Sequence, residues 1–561
     1  MKKLIFILFL TNSIFCLSQT LTLNIPEDHF QIDETNSLIV SHIENIESYN
    51  DLSTYSDLIL SLNTVNYTFS TVPNNINYTN SYIVNGSSKQ YILYFTQLPI
   101  ISIDTPNTIL DDPKVLANFT YSDDEQVLTS NIGIELRGGS SRSYPKKTYD
   151  LEFWEDDNGE DTHNVQFKNL RSDDDWILDA LYNEPLRLRS YTSSKLWLSM
   201  HTPYYLKDEP EAKAGANVEY VEMFLNGRYN GIYNISEQVD KKQLKLKSFK
   251  KGEIRGELYK GISWSGATKF SSISNYDNNN RVWSDYEMKY PKEDEATDWE
   301  NPYNFTDFVM NSSNTDFTNN IWSKFNYDNY LDYFIFLNLL RATDNRGKNI
   351  YLAKYKADEP YYYVPWDLDG CFGTIWNGTN ENITDDILTN GFHDRVIKLN
   401  LNNYETTIAN KWFDYRNNIL EENKLIESIE KQYQFLSENK IYERESIVYP
   451  NYNYNEQTLS YLISWLQNRL SFLDTYYGDL LSIDNINLNK TELSFSPNPA
   501  KTRIHINNTN KLINSEYKIY DFLGRQIDKG EINNNTISIE KLKLGNYIII
   551  LNNEAHKLVI K

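Results

Sequence analysis

Hydrophobic positions follow two different periods along the chain. Short alternating runs, such as residues 37–40 and 91–95, are separated by Asn, Ser, Gly and Pro and predict a small β-rich region over residues 19–97. Residues 330–340 are instead apolar nearly all round, which predicts a helix buried on most of its faces. The two periods together predict an α+β fold.

The middle of the chain combines both patterns. Residues 176–200 predict a helix, with Pro185 marking its start or a break. Residues 218–239 predict a β-hairpin, because two apolar strands flank an Asn-Gly turn. The polar stretch 262–320 is rich in Asn, Ser and Asp and predicts an insertion or long surface loops.

The last part of the chain predicts a helical segment and then a separate β unit. Residues 420–477 are mostly helical, and the leucines of the final helix have the spacing of core packing. A short polar stretch, residues 480–490, predicts a linker. Short strands over residues 491–561 have the composition of a small β-sandwich. Residues 98–479 are left as one large central domain.

Length, charge and the N-terminus narrow the classes of function. At 561 residues the chain exceeds what one hydrophobic core usually supports. A formal net charge of −23 argues against nucleic acid as the main ligand, since phosphate backbones are bound through Lys and Arg. Lys2-Lys3, a short apolar run and a cleavage site after Ser18 predict a secretory signal peptide over residues 1–18, and no transmembrane segment in the mature chain. Cleavage there leaves Cys371 without a partner for an intrachain disulfide.

A turn rich in glycine and serine separates two predicted strands within residues 132–153. Such a turn lets backbone N–H groups approach phosphate oxygens, although a plain hairpin turn explains the same residues. In the second strand Lys147 shares its parity with the apolar residues at 149, 151 and 153, so it is predicted to face inward. Because an inward lysine needs a partner, Lys147 rather than Lys146 is predicted to be functional.

Two acidic groups follow the apolar helix. Asp344 and Asn349 have the Asp-x-x-x-x-Asn spacing of the protein-kinase catalytic loop, where the Asp accepts the hydroxyl proton and the Asn holds Mg²⁺. This spacing also arises by chance in a long, Asn-rich chain. Asp367 and Asp369 lie at i and i+2 of an extended segment and would face one side, which suits Mg²⁺ ions bridging nucleotide phosphates. Paired carboxylates are also compatible with a glycosidase or a structural Ca²⁺ site.

The order of these features adds weight to each of them. The motifs concerned are Arg137-Gly138-Gly139-Ser140-Ser141, Pro145-Lys146-Lys147-Thr148-Tyr149, Leu186-Arg187-Leu188-Arg189, Gly231-Ile232-Tyr233, Thr343-Asp344-Asn345-Arg346 and Pro365-Trp366-Asp367-Leu368-Asp369. In this combination, the central domain resembles the CotH-type (spore coat protein H) family of atypical, secreted protein kinases. The resemblance implies a two-lobed, protein-kinase-like domain with an ATP site in its cleft.

Carried over position by position, the resemblance gives the acidic residues separate roles. Asp344 corresponds to the catalytic Asp, and Asn349 to an Asn on the metal side. Asp367 corresponds to the metal-binding Asp that also serves catalysis, and Asp369 is a supporting metal carboxylate. The implied cofactors are ATP and Mg²⁺ or Mn²⁺.

The resemblance also implies an ATP site around the glycine turn. Lys147 corresponds to the phosphate-contacting lysine, and Glu237 lies where a hinge would meet the adenine. No glutamate in residues 186–200 is available to pair with Lys147, so this ion pair is absent or comes from elsewhere, with Glu184 as a candidate. The other residues assigned to the ATP site are Arg137, Gly138, Ser140, Ser141 and Trp366.

The C-terminal β unit resembles a second family. Its motifs Phe495-Ser496-Pro497-Asn498-Pro499, Tyr520-Asp521-Phe522-Leu523-Gly524-Arg525 and Leu544-Gly545-Asn546-Tyr547 are similar to those of the type A sorting domain of the type IX secretion system of Bacteroidetes. The resemblance implies the type IX secretion machinery as a partner, and a secreted or cell-surface location.

Two classes of function follow from the sequence. The first is a secreted or surface-exposed kinase that transfers the ATP γ-phosphate to Ser/Thr hydroxyls of extracytoplasmic proteins, itself included. The second is a non-catalytic surface adhesin or structural protein on a kinase-like scaffold, because fungal members of the CotH family look like adhesins. The intact Asp344, Asn349, Asp367 and Asp369 favour the kinase.

Overall fold

The computed structural model describes residues 19–43, 45–452, 456–481, 494–507, 516–532, 535–551 and 554–561. The predicted signal peptide and nearly all of the predicted linker lie outside these described residues. The chain divides into two compact units. The first comprises Met1–Leu401 and Asp414–Leu470, and the second comprises Asn402–Phe413 and Ser471–Lys561.

The first unit begins with a seven-stranded sheet. Its strands are β1 (Thr20–Ile25), β2 (Phe30–Asp33), β3 (Leu38–His42), β4 (Asp57–Leu62), β5 (Val65–Phe69), β6 (Ser81–Asn85) and β7 (Gln90–Thr96). They are arranged in the order β1-β4-β5-β6-β7-β3-β2. Alternation places Leu58, Leu60 and Leu62 on one face, where all three are buried in the core of the sheet. This N-terminal sheet lies wholly within residues 19–97.

A closed barrel follows the N-terminal sheet. Its strands are β8 (Ile100–Asp104), β9 (Val115–Ser122), β10 (Val127–Arg137), β11 (Thr148–Trp154), β14 (Asp175–Asp179), β15 (Val218–Leu225) and β16 (Arg228–Ser236), with β12 (Val165–Gln166) and β13 (Ser172–Asp173) forming a separate ladder. The barrel order is β10-β11-β14-β16-β15-β8-β9. Large apolar side chains such as Phe119, Leu151 and Trp176 fill the interior. The predicted hairpin at residues 218–239 is confirmed as β15 and β16.

The helix predicted over residues 176–200 is wrong in its first half. Residues 176–178 belong to barrel strand β14, and the helix, α1 (Arg189–Met200), begins only after an irregular segment. Trp176, Ile177 and Leu178 are all buried, because both faces of this part of the barrel wall are covered. A short apolar run of this kind has no period that separates a strand from a buried helix.

A five-stranded sheet carries the second half of the first unit. Its strands are β17 (Glu257–Gly261), β18 (Val282–Trp283), β19 (Tyr286–Tyr290), β20 (Ile350–Lys354) and β21 (Tyr361–Pro365), in the order β18-β19-β17-β20-β21. The other α-helices among the described residues are α2 (Glu300–Asn311), α3 (Asn314–Lys324), α4 (Tyr327–Leu340), α5 (Gly391–Leu399), α6 (Tyr404–Arg416), α7 (Glu422–Glu438), α8 (Ile441–Val448) and α9 (Glu456–Leu480).

Two predictions for this region have different outcomes. The buried helix predicted over residues 330–340 is confirmed, because every residue of α4 from Asn329 onward is buried. The long loops predicted over residues 262–320 are wrong in part, because this stretch holds β18, β19, α2 and α3. Aromatic residues scattered through its polar sequence, such as Trp283 and Trp299, are buried and provide the core for these elements.

The second unit contains a small β domain. Its strands are β22 (Ser494–Ser496), β23 (Arg503–Asn507), β24 (Glu516–Tyr520), β25 (Gln526–Glu531), β26 (Thr536–Ser538), β27 (Gly545–Leu551) and β28 (Glu554–Ile560). They form a sheet in the order β22-β23-β26 and another in the order β25-β24-β27-β28. Ile504, Ile519 and Ile549 from the two sheets share one buried core. A β-sandwich in the strict sense, like the two-lobed form of the central domain, stays a prediction.

We expect Leu151→Ala to test the barrel directly. Leu151 is fully buried in the barrel interior, so its truncation should lower the free energy of unfolding by about 2–5 kcal/mol, as measured by denaturant unfolding. Val127, on the neighbouring strand β10, is 46% exposed, and Val127→Ala should change that free energy by less than about 0.5 kcal/mol. Equal effects of the two variants would contradict the arrangement.

Candidate active site

A cavity of about 620 Å³ lies between the barrel and the five-stranded sheet, a size typical of small-molecule sites. Its walls come from the glycine turn, the end of β14, strand β17 and the segments 344–349 and 365–369. Carboxylates and cations both line it. Among the lining residues, the acidic ones include Asp179, Asp344, Asp367 and Asp369, and the basic ones include Arg137, Lys146, Lys260, Lys289 and Lys348.

Most residues predicted for the site line this cavity. They are Arg137, Gly138, Ser140, Ser141, Asp344, Asn349, Trp366, Asp367 and Asp369. Lys147 and Glu237 are not among the lining residues. The two acidic groups and the glycine turn, which the sequence predicts for one site, therefore lie at one cavity. The roles of these residues stay predictions.

Hydrogen bonds fix the segments 344–349 and 365–369 to each other. The buried side chain of Asn345 donates to the carbonyl oxygens of Asn349 (2.7 Å) and Trp366 (2.8 Å). The Trp366 N–H donates in return to the Asn349 carbonyl at 3.0 Å. The Asn349 side chain then donates to the Asp367 carboxylate at 3.0 Å. The two residues predicted on the metal side are thus held side by side.

Both of these residues have a left-handed backbone. The φ angles of Asn349 and Asp367 are 56° and 53°, a region that non-glycine residues enter uncommonly. Such conformations persist only where the surroundings fix them, and they concentrate at functional sites. The hydrogen bonds through Asn345 supply that constraint here.

Asp179 and Asp369 place further negative charge in the cavity. Burial, reinforced by nearby Asp367, raises the pKa of Asp179 to about 6. Burial and Asp367 also raise the pKa of Asp369 well above its ordinary range, although Asn183 donates a hydrogen bond of 2.8 Å to its carboxylate. Mutually repelling carboxylates are relieved by a divalent cation, and carboxylate and amide oxygens suit Mg²⁺ or Mn²⁺. Asp179, Asn349, Asp367 and Asp369 could hold such an ion.

Asp344 has neighbours of its own. The indole Nε1 of Trp264 donates a hydrogen bond of 3.2 Å to its carboxylate, and the Lys348 ammonium lies 4.5 Å from the centre of that indole ring. Burial raises the pKa of Asp344, although Lys348 and Trp264 oppose the shift. An oriented carboxylate that faces the cavity can accept a proton from a hydroxyl group bound there.

Lys260, on β17, is an uncompensated cation of the cavity. No hydrogen bond or ion pair engages its ammonium group within the described ranges of the chain, whereas Arg137 is paired with Asp150 and Lys289 with Glu287. Burial, with the charges of Arg137 and Lys289, lowers the pKa of Lys260 to about 8. A half-buried ammonium beside other cations favours an anionic ligand.

The prediction that Lys147 faces inward is wrong, and Lys146 is the buried lysine. Strand β11 begins only at Thr148, so its alternation does not extend back to the lysines. The Lys147 Nζ donates to the carbonyl of Arg142 at 2.6 Å, at the surface. Lys146 is fully buried, lines the cavity, and its Nζ lies 2.5 Å from Glu445 Oε1. Burial lowers the pKa of Lys146 to about 8, although Glu445 opposes the shift.

Glu445 on α8 is the partner that the sequence around residues 186–200 lacks. Its carboxylate accepts from Lys146, from the Ile232 N–H at 3.0 Å, and from the Arg187 guanidinium at 2.6 and 2.9 Å. Burial alone raises the pKa of Glu445, but Arg187 and Lys146 together lower it below its ordinary value. The carboxylate is therefore charged, fully buried and saturated with donors.

Gly231 makes room for this ion pair. Its φ of 93° lies in the left-handed half of backbone space, and it occupies β16 beside the pair. A Cβ atom at this position would lie 2.3 Å from Glu445 Oε1 and 3.0 Å from Lys146 Nζ. Only glycine fits both the backbone and the contact.

The prediction that Glu184 pairs with the lysine is also wrong. Glu237 is buried, directly follows the cavity-lining Ser236, and accepts from the backbone N–H groups of Arg171 (2.7 Å) and Asn217 (2.9 Å). Its side chain does not line the cavity, and its place at a hinge to the adenine stays a prediction. Glu184 pairs with Arg189 and accepts from the backbone of the turn before α1, so it is not the partner of a cavity lysine.

Sequence reasoning missed four cavity features, namely Asp179, Lys146, Lys260 and the Glu445 partner. The signal for Lys146 was present, since it precedes Lys147 in the same motif. Asp179 and Lys260 each end an apolar strand run, and only the barrel and sheet bring them together. A second acidic group, Asp173 to Asp175, lies outside the cavity, where Arg171 and Lys242 neutralise it.

Comparison with known families identifies two matches. Residues 134–473 match the family described as CotH kinase protein, and residues 494–561 match the secretion system C-terminal sorting domain. The first match covers well over half of the chain, and the protein belongs to the CotH kinase protein family. No curated protein matches the chain.

The sorting domain carries information about location. It implies export through the type IX secretion machinery and a secreted or cell-surface protein. In the part of the chain that the structure describes, no helix combines the length and apolarity that crossing a membrane requires.

The raised pKa of Asp179 leads to a prediction about pH and metal. Because its folded pKa is about 6 against an ordinary 3.8, its contribution to stability is present below pH 3.8 and is lost as the pH rises through 6. As the pH rises from 5 to 7.5, the melting temperature of EDTA-treated wild type should therefore fall relative to that of Asp179→Asn. Mg²⁺ should restore it at pH 7.5, and less so in Asp179→Asn, as measured by differential scanning fluorimetry.

Glu135→Gln provides the control for this experiment. Burial also raises the pKa of Glu135, but this carboxyl lies outside the cavity lining. The variant should keep the full response to Mg²⁺. If Asp179→Asn keeps it as well, Asp179 is not part of the cation site.

Proposed function

We propose that the protein is a secreted or surface-exposed kinase that transfers the γ-phosphate of ATP to Ser/Thr hydroxyls of extracytoplasmic proteins. The observation that carries the proposal is the composition of this cavity, where Asp179, Asp344, Asp367, Asp369 and Asn349 lie with Lys146 and Lys260. Oxygen ligands for a divalent cation and cations for phosphate groups are what a metal–nucleotide complex requires. Membership of the CotH family supports the same reading.

The residues divide the chemistry between them. Asp344 orients the acceptor hydroxyl and takes its proton, while the new bond forms between the hydroxyl oxygen and the γ-phosphorus and the bond to the bridging oxygen of ADP breaks. Asp179, Asn349, Asp367 and Asp369 would hold the cation. When bound, Mg²⁺ or Mn²⁺ would neutralise charge on the phosphates. Catalysis then rests on positioning and electrostatics.

The cations of the chain act on the phosphates. Lys146, held by Glu445, replaces Lys147 in this proposal as the phosphate-contacting lysine. Lys260 adds a second charge from β17, and the glycine turn offers backbone N–H groups from Gly138 to Ser141. Trp366, which stacks against the Arg137 guanidinium at 5.6 Å, forms a wall beside them. Together with a bound divalent cation, these groups would offset part of the negative charge of a triphosphate.

The first prediction concerns the two central carboxylates. Asp344→Asn and Asp367→Asn should each lower phosphate incorporation from γ-labelled ATP by about 10²–10⁴-fold, because each removes a charge that the transfer needs. Asp344→Asn should keep Mg²⁺-dependent nucleotide binding, whereas Asp367→Asn should lose it. Thermal shift with ATP, with and without Mg²⁺, separates the two effects.

Asp358→Asn is the matched control, since Asp358 lies in the turn between β20 and β21 and outside the cavity lining. It should leave incorporation unchanged. Surface adhesion that survives Asp367→Asn, together with no incorporation by wild type, would instead favour a non-catalytic adhesin.

The second prediction concerns Lys260. Lys260→Met should weaken binding of the ATP–Mg²⁺ complex by about tenfold or more, because a hydrogen bond to a charged group contributes roughly 1.5–3 kcal/mol. The pKa of the Lys260 ammonium is lowered to about 8, so wild-type affinity should fall as the pH rises from 7 to 9. Lys260→Arg keeps its charge over this range and should show a smaller decline. Isothermal titration calorimetry measures both.

Lys289→Met serves as the control for charge alone. Lys289 lines the same cavity but is paired with Glu287 at 3.0 Å. We expect it to change nucleotide affinity by less than about threefold, since exposed charges interact weakly. An equal loss of nucleotide affinity in Lys260→Met and Lys289→Met would show that Lys260 contributes only to the overall positive potential of the cavity.

A further inference from the structure

The N-terminal sheet belongs to the first unit but lies outside the cavity lining. None of the residues that line the cavity belongs to strands β1 to β7. Some of its contacts lead to the barrel strands β8 and β16, and others lead to helix α8. This helix carries Glu445, so the sheet is connected to the cavity through one intermediate element.

Helix α8 depends on its surroundings for its position. It has eight residues, Ile441–Val448, and isolated helices of this length are unstable in water. Towards the barrel it is held by Glu445 and by Arg444, whose guanidinium makes a buried two-point ion pair with Glu222 at 2.5 and 2.9 Å. The Tyr442 hydroxyl of the same helix also donates to the Leu186 carbonyl at 2.9 Å.

The N-terminal sheet contacts the same helix. The Tyr94 hydroxyl, on β7, donates to Glu443 Oε1 at 2.7 Å, and the Arg444 guanidinium lies 5.1 Å from the centre of the Tyr94 ring. Ile447 and Val448 of α8 pack against a core cluster to which the sheet contributes Leu38, Val40 and Tyr94. Tyr94 is only 1% exposed, whereas its partner Glu443 is exposed and also pairs with Lys440 at 3.3 Å.

Two further contacts fix the ends of this arrangement. Gln97, just after β7, accepts from and donates to the side chain of Asn439, at 3.0 and 2.8 Å, directly before α8 begins. Asp33 of β2 accepts from the Tyr229 N–H at 3.1 Å, on the barrel strand that also carries Gly231. The sheet therefore contacts both α8, which carries Glu445, and β16, whose Ile232 N–H binds Glu445.

We propose that the N-terminal sheet positions the cavity lysine for phosphate binding: it holds α8 through Tyr94, and α8 holds Glu445 against Lys146. Tyr94 and Glu445 are positioning residues in this scheme, which rests on the proposed kinase function. Removing Tyr94 lets α8 shift and loosens the Lys146–Glu445 pair. Nucleotide binding then weakens although no residue of the cavity has changed.

Tyr91 offers a closely matched control for Tyr94. Both tyrosines are buried on β7 and both hydroxyls bind a glutamate, but Tyr91 bonds to Glu34 within the sheet and not to α8. In the mature chain, Tyr94→Ala should raise the KM for ATP by about tenfold at a temperature well below unfolding, because small misplacements of binding groups are costly. Tyr91→Ala should lose similar thermal stability and keep the wild-type KM.

A double-mutant cycle shows whether the effect passes through Glu445. Glu445→Gln alone should raise the KM for ATP, and adding Tyr94→Ala to it should raise the KM no further. Full additivity of the two changes would overturn the proposal, because the sheet would then act by another route. If Tyr94→Ala does not fold, Tyr94→Phe against Tyr91→Phe tests the hydroxyl contact alone, with an expected rise of about two- to threefold in KM.

The outcomes separate this inference from the function on which it rests. Wild type that transfers phosphate, with the same KM in the Tyr94 and Tyr91 variants, would overturn the positioning role and leave the kinase proposal intact. Wild type that neither binds nor uses ATP would remove both. A raised KM in the Tyr94 variants alone, absent on the Glu445→Gln background, supports the proposal.

Discussion

The buried carboxylate of Glu445 is the constraint on which the first unit depends. A charged group inside a protein must be matched by donors, and three separate parts of the chain supply them here. Lys146 comes from the end of the glycine turn, Arg187 from the segment before α1, and the Ile232 N–H from the barrel wall. Loss of any one of them would leave charge unmatched in the core, so the turn, the barrel and α8 must be placed together.

The cavity shows the opposite electrostatic condition. Asp179 and Asp369 are held near Asp367 with raised pKa values, and the Lys260 ammonium lacks a counter-ion among the described residues. The protein thus concentrates uncompensated charge of both signs in one place while it saturates Glu445 a short distance away. Charge that folding leaves unmatched is charge that a ligand can match, which is why this cavity suits a metal–polyphosphate complex.

The sequence predicts features that depend on local residue patterns, and it misses contacts between residues that lie far apart in the chain. Helix α4, the hairpin of β15 and β16 and the grouping of Asp344, Asn349, Asp367 and Asp369 follow from period and spacing. Strand parity does not identify the buried lysine, because β11 begins only after both lysines. Periodicity does not separate strand β14 from a helix, because its short apolar run has no period. Glu445 could not be found from sequence, because it lies 299 residues from Lys146 and only the fold brings them together.

Gly231 gives the Lys146–Glu445 pair a signature that can be recognised in an amino-acid sequence alone. A methyl group there would clash with the Glu445 carboxylate and crowd the Lys146 ammonium. A chain that retained this pairing could therefore not diversify at that position, whatever happened to the residues around it. In any related sequence, a side chain at the equivalent position would indicate that the counterpart of Lys146 pairs with another carboxylate or no longer lines the cavity.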